Sequence, residues 1–256
     1  MLTASRLTLT MGNRKLCQSL NLQLRAGEVW GILGPNGCGK TTLLHALCGL
    51  RPVTCGEIRL GGQLLNQLPV KTIARSIGLL FQDITVVFPQ TVWDYCRAAR
   101  YPHLPFLKQE SAADIQIISE ALRTMELQSH TRRRVTQLSG GEQRRLAIAA
   151  LLAQTPAIYF LDEPANHLDV RYQGLVFGHF RRLADTNNAV VMMSLHDANL
   201  AQHYCDHVLL MYPDGETMQG KILDMLTPEH LTRLYRHPID SIHHGDMIYW
   251  QPRPGC

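Results

Sequence analysis

No stretch of this chain is apolar enough to cross a membrane. Its longest uncharged apolar runs, such as Leu146–Ala153 and Ala189–Met193, are short, whereas a spanning helix needs about 20 apolar residues. The N-terminus, Met1 to Arg6, lacks the apolar segment of a secretory signal. Paired cysteines are missing too: the seven are scattered and odd in number, and none forms Cys-x-x-Cys. That argues against a disulfide framework or a cysteine zinc site and for a reducing compartment. Strong charge is also lacking. A formal net charge of +4 over 256 residues is weaker than the concentrated basic charge of a nucleic-acid binder, so none is expected. Repeats and low-complexity segments are absent, and the 45% hydrophobic fraction excludes a disordered chain. These absences leave a soluble cytoplasmic protein of one large or two small domains.

The apolar pattern predicts the fold class. Leu7 and Leu9, then Leu20, Leu22 and Leu24, alternate with polar residues as in half-buried strands. Short apolar runs at 29–33, 157–161 and 189–193 read as buried strands. Helices are expected over 41–48, 142–154 and 171–184, the second with Leu146, Ala149, Ala150 and Ala153 on one face. Between Pro89 and Gln137 two helical stretches, 92–100 and 111–125, flank a proline-broken segment, the best candidate for an inserted helical subdomain. Residues 207–212 and 217–220, joined through Pro213, Asp214 and Gly215, predict a hairpin. Alternating strands and helices imply an α/β core with a mainly parallel sheet.

Three motifs carry chemistry. Gly34, Pro35, Asn36, Gly37, Cys38, Gly39, Lys40 and Thr41 match the G-x-x-x-x-G-K-[ST] phosphate loop, with Thr42 following. Glycines let such a loop wrap closely and aim backbone N–H groups at phosphate oxygens, and the following helix adds its positive end. Lys40 reaches the β- and γ-phosphates, and the Thr41 hydroxyl is a Mg²⁺ ligand. An apolar run ends in Asp162 and Glu163, at a strand's carboxyl end, where ligands bind in open α/β sheets. Asp162 is the candidate for holding Mg²⁺, directly or through water, and Glu163 for polarising an attacking water. Ser139, Gly140, Gly141 and Glu142 read as a capping box whose glycines also expose N–H groups to an anion.

The phosphate loop, the segment Leu138 to Gln143, the Asp162–Glu163 pair and a following histidine, in this order and spacing, closely resemble the ATP-binding subunits of ABC transporters. The resemblance runs over about residues 2–250. It implies a P-loop NTPase core with an N-terminal antiparallel β-subdomain (1–88 and 138–225), an inserted helical subdomain (89–137) and a C-terminal extension (226–256). It implies ATP and Mg²⁺ as ligands. Gln82 matches the glutamine that contacts Mg²⁺ and the water, and His196 the switch histidine at the γ-phosphate. Asp169 matches the residue that positions the opposite subunit's phosphate loop. Met11 stands where the family usually stacks an aromatic ring on adenine; a thioether packs on a purine but offers no π-face.

The resemblance further implies a head-to-tail homodimer in which Ser139, Gly140 and Gly141 of one copy cover the nucleotide of the other. It implies an integral-membrane permease docking near Phe81–Pro105, a periplasmic or surface solute-binding protein acting indirectly, and a peripheral place on the cytoplasmic face of the inner membrane. The segments 100–103, 165–170 and 195–200 are similar to the branch that imports iron–siderophore, haem and vitamin B12. Two alternatives stay open on the sequence: a channel-less ATPase of the same family, such as one serving cluster assembly, and a non-hydrolysing regulatory module.

Overall fold

The computed structural model describes residues 1–83, 89–104, 110–245 and 247–254, so part of the expected docking stretch Phe81–Pro105 lies outside the described residues. The chain opens with β1 (Leu2–Met11) and β2 (Arg14–Leu24), an antiparallel pair turning through Gly12, followed by β3 (Val29–Leu33) and α1 (Lys40–Leu47). Then come β4 (Cys55–Leu60), β5 (Gln63–Leu64), α2 (Val70–Ser76) and β6 (Ile77–Leu80). Helices α3 (Val92–Ala98), α4 (Ala112–Thr124) and α5 (Gly140–Gln154) precede β7 (Ile158–Leu161), α6 (Val170–Asn187) and β8 (Val190–Leu195). The C-terminal part adds α7 (Ala198–Tyr204), β9 (His207–Met211), β10 (Thr217–Lys221), α8 (Ile222–Met225), α9 (Pro228–Tyr235), β11 (Ile239–His244) and β12 (Met247–Pro252).

Two sheets organise these elements. β2-β1-β4-β5 is antiparallel, and β10-β9-β3-β8-β7-β6 is parallel except for the edge hairpin partner β10. The larger sheet is buried on both faces, which explains why its strands read as unbroken apolar runs rather than alternating ones. Val191 and Met193 of β8 face one core with α5 and α6, while Val190 and Met192 face a second core with α1 and the antiparallel sheet. The side-chain period of two divides every central strand this way.

The expected helices form, with two differences. α5 starts at Gly140, because Ser139 caps it. It is also buried on nearly all sides, including Arg144 and Arg145, rather than along one stripe. It lies in the middle of the molecule, packed by α3, α4 and β6. Arg100 ties this group together: it pairs with Asp114 of α4 and donates to the Ala153 carbonyl and the Thr155 hydroxyl. The C-terminal stretch, for which the sequence suggested no element, forms α9 and the β11–β12 hairpin. No helix among the described residues is long and apolar enough to cross a membrane.

Candidate active site

Four parallel strands deliver their carboxyl ends to one edge of the sheet. The phosphate loop follows β3, Gln82 follows β6, the carboxylate pair follows β7 and His196 follows β8. The loop conformation depends on two glycines. A Cβ at Gly34 would lie 2.6 Å from the Met211 carbonyl oxygen and the Cys38 sulfur. Gly39, the residue before α1, has φ 111°, which side chains other than glycine's rarely adopt. Lys40 is 6% exposed and curls over the loop, its Nζ donating to the carbonyls of Gly34 (2.7 Å) and Pro35 (3.3 Å). Burial pushes the Cys38 thiol up, against the pull of Lys40 and Arg14. It is therefore a packed side chain and not an activated thiolate.

The carboxylate end is tightly wired. Ser194 Oγ donates to Asp162 Oδ1 (2.6 Å) and accepts from the Glu163 backbone N–H (2.8 Å). Glu163 is held at φ 48°, a left-handed conformation costly for a residue with a Cβ. Its Oε1 meets His196 Nε2 at 2.5 Å, and its Oε2 accepts from Gln82 Nε2 (3.3 Å) and from Asn166 Nδ2. Partial burial pushes the Glu163 carboxyl up, but the hydrogen bonds from His196 and Asn166 and the charges of His196 and Lys40 bring it below the ordinary range. Glu163 is thus an ionised hydrogen-bond acceptor at neutral pH.

Behind this edge lies a residue that the sequence did not single out. Arg144 of α5 is 1% exposed. Its guanidinium donates to the carbonyls of Phe81 (2.5 Å), Gln82 (3.1 Å), Asp162 (2.6 Å) and Glu163 (2.6 Å). One planar cation therefore clamps the ends of two strands, β6 and β7. Burial pulls its pKa down, opposed by Asp162, Glu163 and Asp83. Arg144 and Ser194 carried no signal in the sequence beyond being polar next to a motif, whereas Asn166 lies in the 165–170 segment that carries the resemblance.

A cavity of about 300 Å³ opens on this edge, lined by Met11, Asn36, Gly37, Gly39, Lys40, Thr41, Thr42, Gln82, Glu163 and His196. Gly34, Pro35 and Cys38 belong to the same loop but are not in its lining. Asp162 stands behind it, fully buried, and its Oδ2 has no hydrogen-bond partner among the described residues. A buried carboxyl oxygen without a donor costs free energy, and a hard cation nearby relieves that cost. This orphan acceptor, together with the Thr41 hydroxyl and the Gln82 amide oxygen, is an all-oxygen set that suits Mg²⁺. Ser139, Gly140, Gly141 and Asp169 are not in the lining either. Ser139 Oγ accepts from Glu142 N (3.3 Å) and Asp169 Oδ1 from Tyr172 N (3.0 Å), so both cap helices of their own.

Comparison with known proteins bears on this arrangement. The family model described as ABC transporter matches residues 17–166. Hemin import ATP-binding protein HmuV of Escherichia coli O157:H7 is 34% identical over 258 residues, covering 97% of this chain and 98% of that protein. Among solved structures, a metal-chelate type ABC transporter in an inward-facing conformation aligns with a TM-score of 0.85 at 27% identity, covering 99% of this chain and 98% of the other. A dimeric post-hydrolysis state of the ATP-binding cassette MJ0796, bound to ADP and Pi, aligns with a TM-score of 0.73 at 25% identity, covering 87% and 99%.

Proposed function

Taking as premise that the chain belongs to the ABC transporter family as an ATP-binding ATPase subunit, we propose that it is the motor of an importer for haem or a related metal chelate. A hemin import relative and a metal-chelate type structural neighbour support the solute class. The observation that carries the motor reading is Glu163, an ionised carboxylate on the wall of the phosphate-loop cavity, held there by His196, Gln82 and Asn166.

Each site residue then has a role. The backbone of residues 34–39 and the Lys40 ammonium bind the β- and γ-phosphates of ATP. Met11 packs on the base. Thr41, Gln82 and the Asp162 carboxylate hold Mg²⁺, which supplies neutralisation of phosphate charge. Glu163 orients the attacking water, and His196 hydrogen-bonds the γ-phosphate. Ser139, Gly140 and Gly141, at a capped helix start outside the cavity, close over the nucleotide of a second copy, with Asp169 set against that copy's phosphate loop. A monomer holds half of each site, and the dimeric relative supports this assembly. ATP binding then drives closure because the closed state binds nucleotide more tightly, and a separate permease docked around residues 81–105 converts closure into transport. A solute-binding protein acts on the far side of that permease. This chain rests peripherally on the cytoplasmic face of the inner membrane, and its domain division follows the boundaries given above.

Glu163→Gln tests the proposal. The variant should bind ATP, form a stable dimer and release no phosphate. Turnover at the wild-type rate would remove Glu163 from the water-orienting role. Co-purification of a polytopic membrane protein with the tagged chain distinguishes an importer motor from a channel-less ATPase.

A further inference from the structure

We propose that Tyr235, in the C-terminal extension, is a positioning residue for the switch histidine. This inference rests on the ATPase reading above. Tyr235 Oη donates to the backbone carbonyl of His196 at 3.0 Å, while the imidazole Nε2 of the same residue meets Glu163 Oε1. His196 is thus held at both ends, by a carboxylate in the cavity and by a phenol reaching in from an element about 40 positions later in the chain.

The phenol sits on a rigid platform. α9 is capped by Thr227 and begins with Pro228, and its Leu231 and Leu234 are fully buried in the main core. Arg236 turns the chain at φ 54°, and Ile239 re-enters the core at the start of β11. The partner strand β12 is fastened to the helix after the switch loop: Asn199 Oδ1 accepts from Trp250 N (2.7 Å) and Asn199 Nδ2 donates to Trp250 O (3.1 Å). Asp197, between His196 and α7, accepts from Asn199 N (2.8 Å) and so caps that helix. Burial, with Asp197 and Cys38 nearby, pushes the Tyr235 phenol up, so at neutral pH it is a neutral donor.

Rigidity matters at this point for a geometric reason. β8 ends at Leu195 and α7 begins at Ala198, leaving two linking residues. An apolar cavity of about 480 Å³ lies beside them, bordered by His196, Tyr235 and Trp250. That space gives the switch peptide room to rotate, and Tyr235 opposes the rotation. The imidazole is about 44% exposed, so the peptide that carries it must supply the order that packing does not. An orientation loss at a group acting in the transition state lowers kcat rather than ATP affinity.

The test uses the whole chain in a steady-state ATPase assay up to saturating Mg·ATP, giving kcat and KM, alongside melting temperature and ¹⁵N-histidine NMR. Tyr235→Phe should lower kcat about 3- to 10-fold with KM for ATP unchanged, an effect of about one hydrogen bond. The His196 imidazole resonance, assigned by its loss in His196→Gln, should shift. In the His196→Gln background, Tyr235→Phe should cost nothing more, since the two act through one group. Asn199→Ala, which releases β12, should reproduce the kcat loss in part and serves if Tyr235→Phe folds poorly. Tyr249→Phe, on the exposed face of the hairpin, is the control and should behave as wild type. Wild-type kcat in both Tyr235→Phe and Asn199→Ala, or a kcat loss that persists undiminished in the His196→Gln background, overturns the inference. A wild-type chain that hydrolyses no ATP would instead overturn the function itself.

Discussion

Replacing Arg144 by methionine separates stability from chemistry in this fold. The side chain makes four charge-assisted bonds to the carbonyls of Phe81, Gln82, Asp162 and Glu163. At roughly 1.5–3 kcal/mol for each bond to a charged group, the gross attraction is about 6–12 kcal/mol. Against it stands the desolvation of a guanidinium that is 1% exposed, several kcal/mol after relaxation. Removing the guanidinium leaves buried carbonyls without their donor at about 1–3 kcal/mol each, partly recovered by relaxation and water, so a net cost of about 3–5 kcal/mol is expected. At about 2–4 °C per kcal/mol for a chain of this size, the melting temperature should fall by roughly 6–20 °C. Phe81, Gln82, Asp162 and Glu163 are the residues whose backbones are released, while the phosphate loop is not touched by Arg144. The variant should therefore retain ATP binding and lose kcat. Calorimetry, nucleotide titration and phosphate release measure the three quantities. A melting temperature within about 2 °C of wild type, or a loss of ATP affinity with kcat preserved, would refute the clamp. Arg144→Lys should recover little, since a compact ammonium cannot reach four carbonyls in one plane.

Two further predictions concern the nucleotide and acid stability. Met11 is 49% exposed on the cavity wall; Met11→Tyr should tighten ATP binding by about 0.5–1.5 kcal/mol, read by titration calorimetry, and unchanged affinity would remove residue 11 from the base contact. Asp114 is held at about 2, from an ordinary 3.8, chiefly by the Ser111 hydroxyl and backbone and then by Arg100. Its folded-state pKa is depressed, so its contribution is complete above the unfolded value and fades as pH falls from about 3.8 towards 2. In urea unfolding, wild type should exceed Asp114→Asn by about 2 kcal/mol at pH 6, with the gap narrowing below pH 4; a gap independent of pH would contradict the pairing.

What was legible in the sequence is what depends on short range. Glycines at 34 and 39 mark a loop because only a residue without Cβ tolerates the Met211 carbonyl at Gly34 and the left-handed turn at Gly39. Ser139 and Glu142 announce a helix start because capping is a four-residue event. The buried strands at 29–33, 158–161 and 190–195 were visible as apolar runs, since a sheet covered on both faces needs no polar alternation. The helix over 142–154 forms as its pattern predicts, but periodicity cannot report that Arg144 and Arg145 are buried as well.

By itself the sequence determined that a phosphate-binding loop, an acidic strand end and a capped glycine pair occur in one order on an α/β chain. Which side chains meet was decided only by the tertiary structure. The parallel order of β6, β7, β8 and β3 carries Gln82, Glu163, His196 and the phosphate loop to one edge, although up to 81 positions separate bonded partners there. Folding also places Arg144 beneath that edge and Tyr235 behind it. Their roles come from carbonyl groups of distant segments, and a carbonyl is the same in every residue, so nothing in the residue letters marks the ones to be held.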